Sequence, residues 1–180
     1  GCPYALVKED TRNLNPGLKR HLSPKEKLMD FDLMKRAIDQ LKKAGVKAIT
    51  FTGGGEPLTH PKLVEIMHYA RMQGFEIGLF TNGSLLNEEK IKQILELEPT
   101  FIRVSINAGT TETHRIIHGL RKGSIWFEKI IKNLKILAEE KVKMGINTDI
   151  GVGYVVNPFN AGELGDLAQI LRQIVDENPG

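Results

Sequence analysis

Residues 50–57 read TFTGGGEP. Three consecutive glycines supply no side chains and lose the most backbone entropy on folding. A glutamate follows them at once. A tight turn would account for some of this glycine. A ligand lying close against the backbone would account for all of it. A phosphate cradle combines bare backbone N–H groups with a lysine, as in GxxxxGK[ST], whereas the carboxylate of Glu56 would repel phosphate. A carboxylate beside exposed backbone suits a cation instead, above all an ammonium group held by charge-assisted hydrogen bonds. Gly53, Gly54, Gly55 and Glu56 therefore predict a site for an amine-bearing ligand.

Three other short stretches carry small polar residues of the same kind. Thr81-Asn82-Gly83 is one. SINAG follows at 105–109 with Ser105 and Asn107, and VVNPFN at 155–160 with Val155, Asn157 and Asn160. Taken singly, Asn-Gly is a common turn pair and Ser or Asn can simply cap a helix. Their common position is the stronger signal, and it follows from the elements that hold them.

Apolar residues recur at helical spacing over 31–44, with Gly45 as a stop. A strand is predicted over 48–52, a helix over 61–72 ending near Gly74, and a strand over 76–81. Asn87 can cap a helix running to about 97, with Glu88 and Glu89 in its first turn. A strand over 101–106, a long helix over 124–141, a strand over 149–156 and a helix over 161–177 complete the order. Strand and helix alternate four times, which predicts a parallel sheet with right-handed crossovers covered by helices. An open doubly wound sheet and a whole or partial β/α barrel both satisfy that order. In either, ligands bind at the carboxyl ends of the strands. Each polar stretch follows a strand, so all are predicted to share one face.

Composition narrows the classes. The chain has 180 residues, enough for one domain with a real core, and 25 Lys and Arg against 22 Asp and Glu give a net charge of +3. Charges of both signs alternate along the helices as on solvated faces, which argues against nucleic acid as the partner. No apolar run approaches the ~18 residues of a membrane span, and a cytoplasmic setting is the default expectation. Cys2 is the one cysteine, so no internal disulfide is expected. The chain opens without methionine and stops just after a helical pattern, which reads as a fragment. The expected organisation is a single unit over 1–180, with a loop remainder over 1–22 and βα units over 23–180.

Other residues invite chemistry but carry ordinary readings. His114 and His118 are four apart and can share a helix face, yet no third metal ligand is evident. His60 lies near the predicted active face. Arg103, Arg115 and Arg121 flank the third-strand loop; any of them could meet a carboxylate of a ligand or substrate, but surface ion pairs are the commoner outcome for such arginines. Trp126 and Phe127 are expected to pack a helix on the sheet. Met29, Met34, Met67 and Met72 read as core.

The ordered set TGGGEP, TNG and VSINAG at successive strand ends resembles the radical S-adenosylmethionine (radical SAM) enzymes over nearly the whole chain. The resemblance implies an α/β fold whose parallel sheet is part of a partial (β/α)6 TIM-like barrel. It implies that Gly53, Gly54, Gly55 and Glu56 bind the amino group of the SAM methionine, in agreement with the ammonium reading. It likewise implies cofactor-binding roles for Asn82, for Ser105 and Asn107 near the methionine or ribose, and for Val155 and Asn157 near the adenine. The family holds a [4Fe–4S] cluster on a CxxxCxxC loop, leaving one iron open to SAM. Here only Cys2 is available as a cluster ligand. It matches either the third family cysteine, or the second, with Ala5 in the third place and Tyr4 as the aromatic that packs on adenine. The first alignment is preferred. The implied activity is reductive cleavage of SAM to a 5′-deoxyadenosyl radical that abstracts hydrogen from a small-molecule or peptide substrate. An electron donor such as flavodoxin or ferredoxin would supply the electron. Two rival readings are a cluster-less α/β domain that binds an amine-bearing nucleotide or amino acid, and an ordinary barrel enzyme using Glu56 as acid or base.

Overall fold

The computed structural model describes residues 28–179. The element order is α1 (Phe31–Lys43), β1 (Ala48–Phe51), a 3-10 turn (Pro57–Thr59), α2 (Leu63–Met72), β2 (Glu76–Thr81), α3 (Glu88–Leu95), β3 (Phe101–Ser105), α4 (Thr111–Ile117), α5 (Trp126–Met144), β4 (Asp149–Gly153), a second 3-10 turn (Ala161–Glu163) and α6 (Leu164–Glu177). The four strands form one parallel sheet in the order β1-β2-β3-β4. A doubly wound sheet reverses direction at a switch point. A sequential order does not, and it is the order of a barrel wall.

Register and burial give the two faces different jobs. Ile49 pairs with Ile77, Leu79 with Ile102, Thr81 with Val104 and Val104 with Val152, so these rows share one face. That face packs under the helices: Ile77, Leu79, Ile102 and Val104 are buried beside Ile66, Met67, Ile91, Ile94 and Leu137. Strand residues alternate sides, so the opposite face carries Glu76, Phe80, Arg103, Ser105 and Asp149, and it is largely open among the described residues. Helices thus cover one face only, as in a barrel wall seen from outside.

Helix ends follow local chemistry. The Asp30 carboxylate accepts from the N–H groups of Asp32 and Leu33 at the start of α1, and Asn87 caps α3 by accepting from Lys90 N–H. The chain leaves α1, α2 and α5 at Gly45, Gly74 and Gly145, all at positive φ.

The departures from the sequence expectation are local. Helix α4 was not expected, because its seven residues include Thr111, Thr113, Ile116 and Ile117, β-branched types with weak helix preference. Thr110 caps it, and a carboxylate from 50 residues further on completes the cap, as shown below. Trp126 is 40% exposed at the first position of α5, with Lys129 over its ring, while Phe127 is the residue that is buried. Met67 is core, but Met29 and Met72 are more than half exposed. Helix-compatible spacing alone does not say where an end residue falls relative to the sheet.

Candidate functional site

The loops after all four strands meet in one cleft of about 310 Å³. Gly53, Gly54, Gly55 and Glu56 contribute from β1, Asn82 from β2, Ser105 and Asn107 from β3, and Val155 from β4. Phe80 and His118 also line it. A larger cavity of about 580 Å³ lies between α2 and α3, bordered by His60, His68, Lys90 and Glu96, and it touches no strand end. His60 belongs to that region: its Nδ1 accepts from Lys62 N–H, and its Nε2 donates to the Met29 carbonyl at 2.9 Å. Cys2 and Tyr4 lie outside the described residues. Among the described residues, no group of three or more His, Cys, Asp or Glu side chains is placed to hold a metal ion.

The β1–β2 side of the cleft is organised around Glu56. Its Oε1 accepts from the Thr81 hydroxyl at 2.6 Å and from Leu58 N–H at 3.2 Å, and its Oε2 accepts from Asn82 N–H at 2.6 Å. A carboxylate offers about four acceptor sites, so among the described residues one on Oε2 has no donor. The TNG turn is itself braced. Gly83 N–H donates to Thr81 Oγ1, and Asn82 Oδ1 accepts from the N–H and hydroxyl of Ser84. Behind it, the buried Asn133 of α5 donates from Nδ2 to the Gly83 carbonyl at 2.9 Å. Gly83 has φ +74°, and a Cβ there would lie 2.9 Å from Val104 Cγ1, so only glycine fits.

The glycines of the β1 loop differ from Gly83. Gly53 and Gly55 have no positive φ; a Cβ on Gly55 would meet nothing within 4 Å, and one on Gly53 only ordinary contacts at 3.6 Å and beyond. Among the described residues, nothing requires glycine at these two places.

The β3–β4 side is held by asparagines. Asn107 Oδ1 accepts from Val155 N–H at 2.8 Å. Asn160, fully buried, donates from Nδ2 to the carbonyls of Asn107 and Val155, and its Oδ1 accepts from Asn157 N–H. Asn157 does not line the cleft: its Oδ1 accepts from Phe159 N–H and closes the loop on itself. Glu163 clamps the start of α4, accepting from Gly109 N–H, Thr110 N–H, Thr110 Oγ1 and Thr113 Oγ1. Partial burial pushes its pKa up, but these hydrogen bonds outweigh burial and leave it lowered. Gly109 is obligatory, because a Cβ there would lie 2.5 Å from the Glu163 carbonyl oxygen.

The structure adds His118 to the site, at the end of α4. Its ring lies 4.4 Å from that of His114, centroid to centroid. Burial lowers both pKa values. That of His114 falls to about 4 through burial and then the neighbouring His118, with Glu128 acting in the opposite direction. Both rings are neutral at pH 7. The His114–His118 spacing was visible in sequence, but its use was not, because α4 was not. Asn133 was equally silent, since a polar residue in a long amphipathic helix reads as surface.

A family model for the radical SAM superfamily matches residues 1–168. The chain belongs to that superfamily, whose members use a [4Fe–4S] cluster and S-adenosylmethionine. It is 32% identical to a tungsten-containing aldehyde ferredoxin oxidoreductase cofactor-modifying protein of Pyrococcus furiosus, over 87% of this chain and 43% of that protein. It is 30% identical to a GTP 3′,8-cyclase of Clostridium perfringens, over 94% of this chain and 47% of that enzyme. Among solved structures, archaeal TYW1 matches with a TM-score of 0.54 at 20% identity, covering 79% of this chain and 50% of that one. That likeness bears on the fold, a parallel α/β sheet of barrel type. The chain spans about half the length of these relatives, or less.

Proposed function

We propose that the cleft binds SAM and that the protein uses it, with a [4Fe–4S] cluster, in radical chemistry on a substrate. The carrying observation is the β1 loop, where among the described residues nothing requires glycine at 53 and 55 and the neighbouring Glu56 carboxylate has one acceptor site without a donor. A cradle of this kind fits an ammonium group: Glu56 accepts one N–H, and neighbouring loop carbonyls can accept the others. Superfamily membership independently makes SAM the expected amine-bearing ligand. When bound, these groups would supply hydrogen-atom abstraction through a radical derived from SAM, the electron coming from the reduced cluster.

The chain's own residues would bind and orient. Thr81, Asn82 and Leu58 fix the Glu56 carboxylate so that it need not reorganise when the amine arrives. Asn107 and Asn160 fix the backbone at Val155, where the adenine would lie. Ser105 offers a hydroxyl toward the methionine or ribose. Cys2 is the candidate cluster ligand and Tyr4 the candidate adenine neighbour. A reductant such as flavodoxin or ferredoxin would be required, and the substrate would be a small molecule or a peptide. The relatives named above act on nucleotide and cofactor substrates by their names, which favours the small molecule.

The test is anaerobic reconstitution of the protein at its natural length with iron and sulfide, reduction, and EPR with and without SAM. A [4Fe–4S]⁺ signal that SAM shifts is expected. It should stay unshifted in Gly55→Val and be much less responsive in Glu56→Gln, with the cluster intact in both. A cluster that ignores SAM in the parent protein would overturn the reading in favour of another amine ligand.

A further inference from the structure

The open face of the sheet continues directly below the cleft, and its residues form rows. Ser105 pairs with Gly153 in the upper row. Phe80, Arg103 and Gly151 form the next, and Gly78, Phe101 and Asp149 the one beneath. Successive rows lie about 6.6 Å apart along the strands. Two glycines make this surface flat. A Cβ on Gly78 would sit 2.4 Å from the Phe101 ring, and one on Gly151 2.4 Å from Arg103 Nη1. The ring and the guanidinium therefore lie across the neighbouring strands rather than standing up from the sheet. Phe80 meets Phe101 edge-on at 5.6 Å and also lines the cleft above, so the two surfaces are continuous. Arg103 Cζ lies 5.6 Å from the Phe101 ring centre.

Arg103 is held without being used up. Its Nη2 donates to Asp149 Oδ2 at 2.6 Å and its Nη1 to the Asp149 carbonyl at 3.4 Å. A guanidinium has five N–H donors, so three find no acceptor among the described residues, and the side chain is 32% exposed. Asp149 sits in the row beneath and engages the guanidinium from below. Glu76 stands at the lower end of β2, further from the cleft.

We propose that this face is the floor of a substrate site. On it, Arg103 holds the acid group, carboxylate or phosphate, of a small substrate whose planar body lies against Phe80 and Phe101. The proposal rests on the SAM reading of the cleft, with which this floor is continuous through Phe80. A guanidinium fixed from one side by a carboxylate is pre-organised to take a second anion on the other. Aromatic faces and edges beside it suit a flat, unsaturated partner. Arg103 thereby acts as a specificity-determining residue rather than as an acid or base.

The test uses the cluster-loaded protein at its natural length. Benzoate, phenyl phosphate and neutral benzyl alcohol are titrated by calorimetry, and SAM is titrated on the same samples. At least one of the two anions should bind saturably and benzyl alcohol at least tenfold more weakly, and the stronger anion identifies the acid group. Arg103→Lys keeps the charge but loses the planar fork, and should weaken that anion about tenfold. Asp149→Asn keeps an acceptor that orients the guanidinium but removes the neighbouring negative charge, and should tighten it several-fold, a gain that misfolding cannot mimic. Equal anion affinity in the parent, Arg103→Lys and Asp149→Asn proteins would reduce the pair to a structural ion pair and overturn the proposal, as would binding of neither anion. SAM binding without anion binding removes the floor and leaves the cleft reading standing. Anion binding without any SAM response removes the cleft reading.

Discussion

Glu56 and Glu163 are both carboxylates in loops at the strand ends, and both accept from backbone N–H groups and threonine hydroxyls. They differ in how full they are. Glu163 accepts four hydrogen bonds, two on each oxygen, and ties the second 3-10 turn to the start of α4. Glu56 accepts three and lines the cleft. A saturated carboxylate is a clamp, whereas an oriented carboxylate with one site left over is a clamp that can also take a ligand. The glycines divide loop by loop. Gly109 after β3 and Gly83 after β2 are required by neighbouring atoms, whereas among the described residues nothing requires glycine at 53 and 55 after β1. The cleft therefore uses the same residue types for opposite ends: most of its loops are held together, and the β1 loop keeps a surface open.

Breaking the holding side should cost the most stability. Asn160→Ala removes three hydrogen bonds to main chain, one of them buried and two part-buried, and should cost about 3 kcal/mol in urea unfolding. Val155 should then loosen, which hydrogen exchange at its amide would register. Asn133→Ala, with one bond to Gly83, should cost about half as much. If the two variants cost the same, the asymmetry between the two sides is wrong.

The glycine contrast makes a sharper pair. Gly109→Ala drives a methyl into the Glu163 carbonyl and should destabilise by about 2 kcal/mol. Gly55→Ala meets nothing, so it should be neutral or stabilise by about 0.5 kcal/mol through the unfolded chain, while weakening SAM binding. Thermal melts of both variants check the first half of this contrast, and a SAM titration checks the second.

A pH series separates the clamp from the histidine pair. An unfolded histidine takes its proton near 6.5, but folded His114 takes it only near 4. Between those values the unfolded state binds more protons, so stability rises with pH and is lost as pH falls from 6.5 toward 4. Glu163, whose folded pKa is lowered below its ordinary 4.5, contributes stability above that value and loses it as pH falls below. His114→Gln should flatten the upper limb and Glu163→Gln the lower, by unfolding midpoints at several pH values. The smallest effect is expected at the surface. Glu88→Gln, which removes the exposed pair with Lys92, should leave the urea midpoint unchanged, because solvent screens such a pair.

Much of this was legible in sequence. A parallel sheet, and the face its loops share, followed from the alternation of apolar periods, but that alternation fits a doubly wound sheet as well as a barrel, and the sequential strand order came from the structure. Gly45, Gly74 and Asn87 marked helix ends because their local backbone chemistry acts over a few residues. The four polar stretches were recognisable as strand-end loops, and the cleft does gather Gly53 to Glu56, Asn82, Ser105, Asn107 and Val155. What each does there was not legible. Asn157 turned out to close its own loop, and Asn107 and Asn160 to brace Val155.

The sequence by itself determined a parallel βα sheet of radical SAM type with a bare glycine loop and a carboxylate at its first strand end. It could do so because period, turn residues and short motifs are local properties. Only the tertiary structure decided which glycines the fold requires, which carboxylate has an acceptor site left over, that α4 exists, and that His118, Asn133 and Arg103 stand around or beneath the cleft. These depend on atoms brought together from residues far apart in the chain, such as Glu163 on Gly109 and Asn133 on Gly83, and no local pattern encodes such distances.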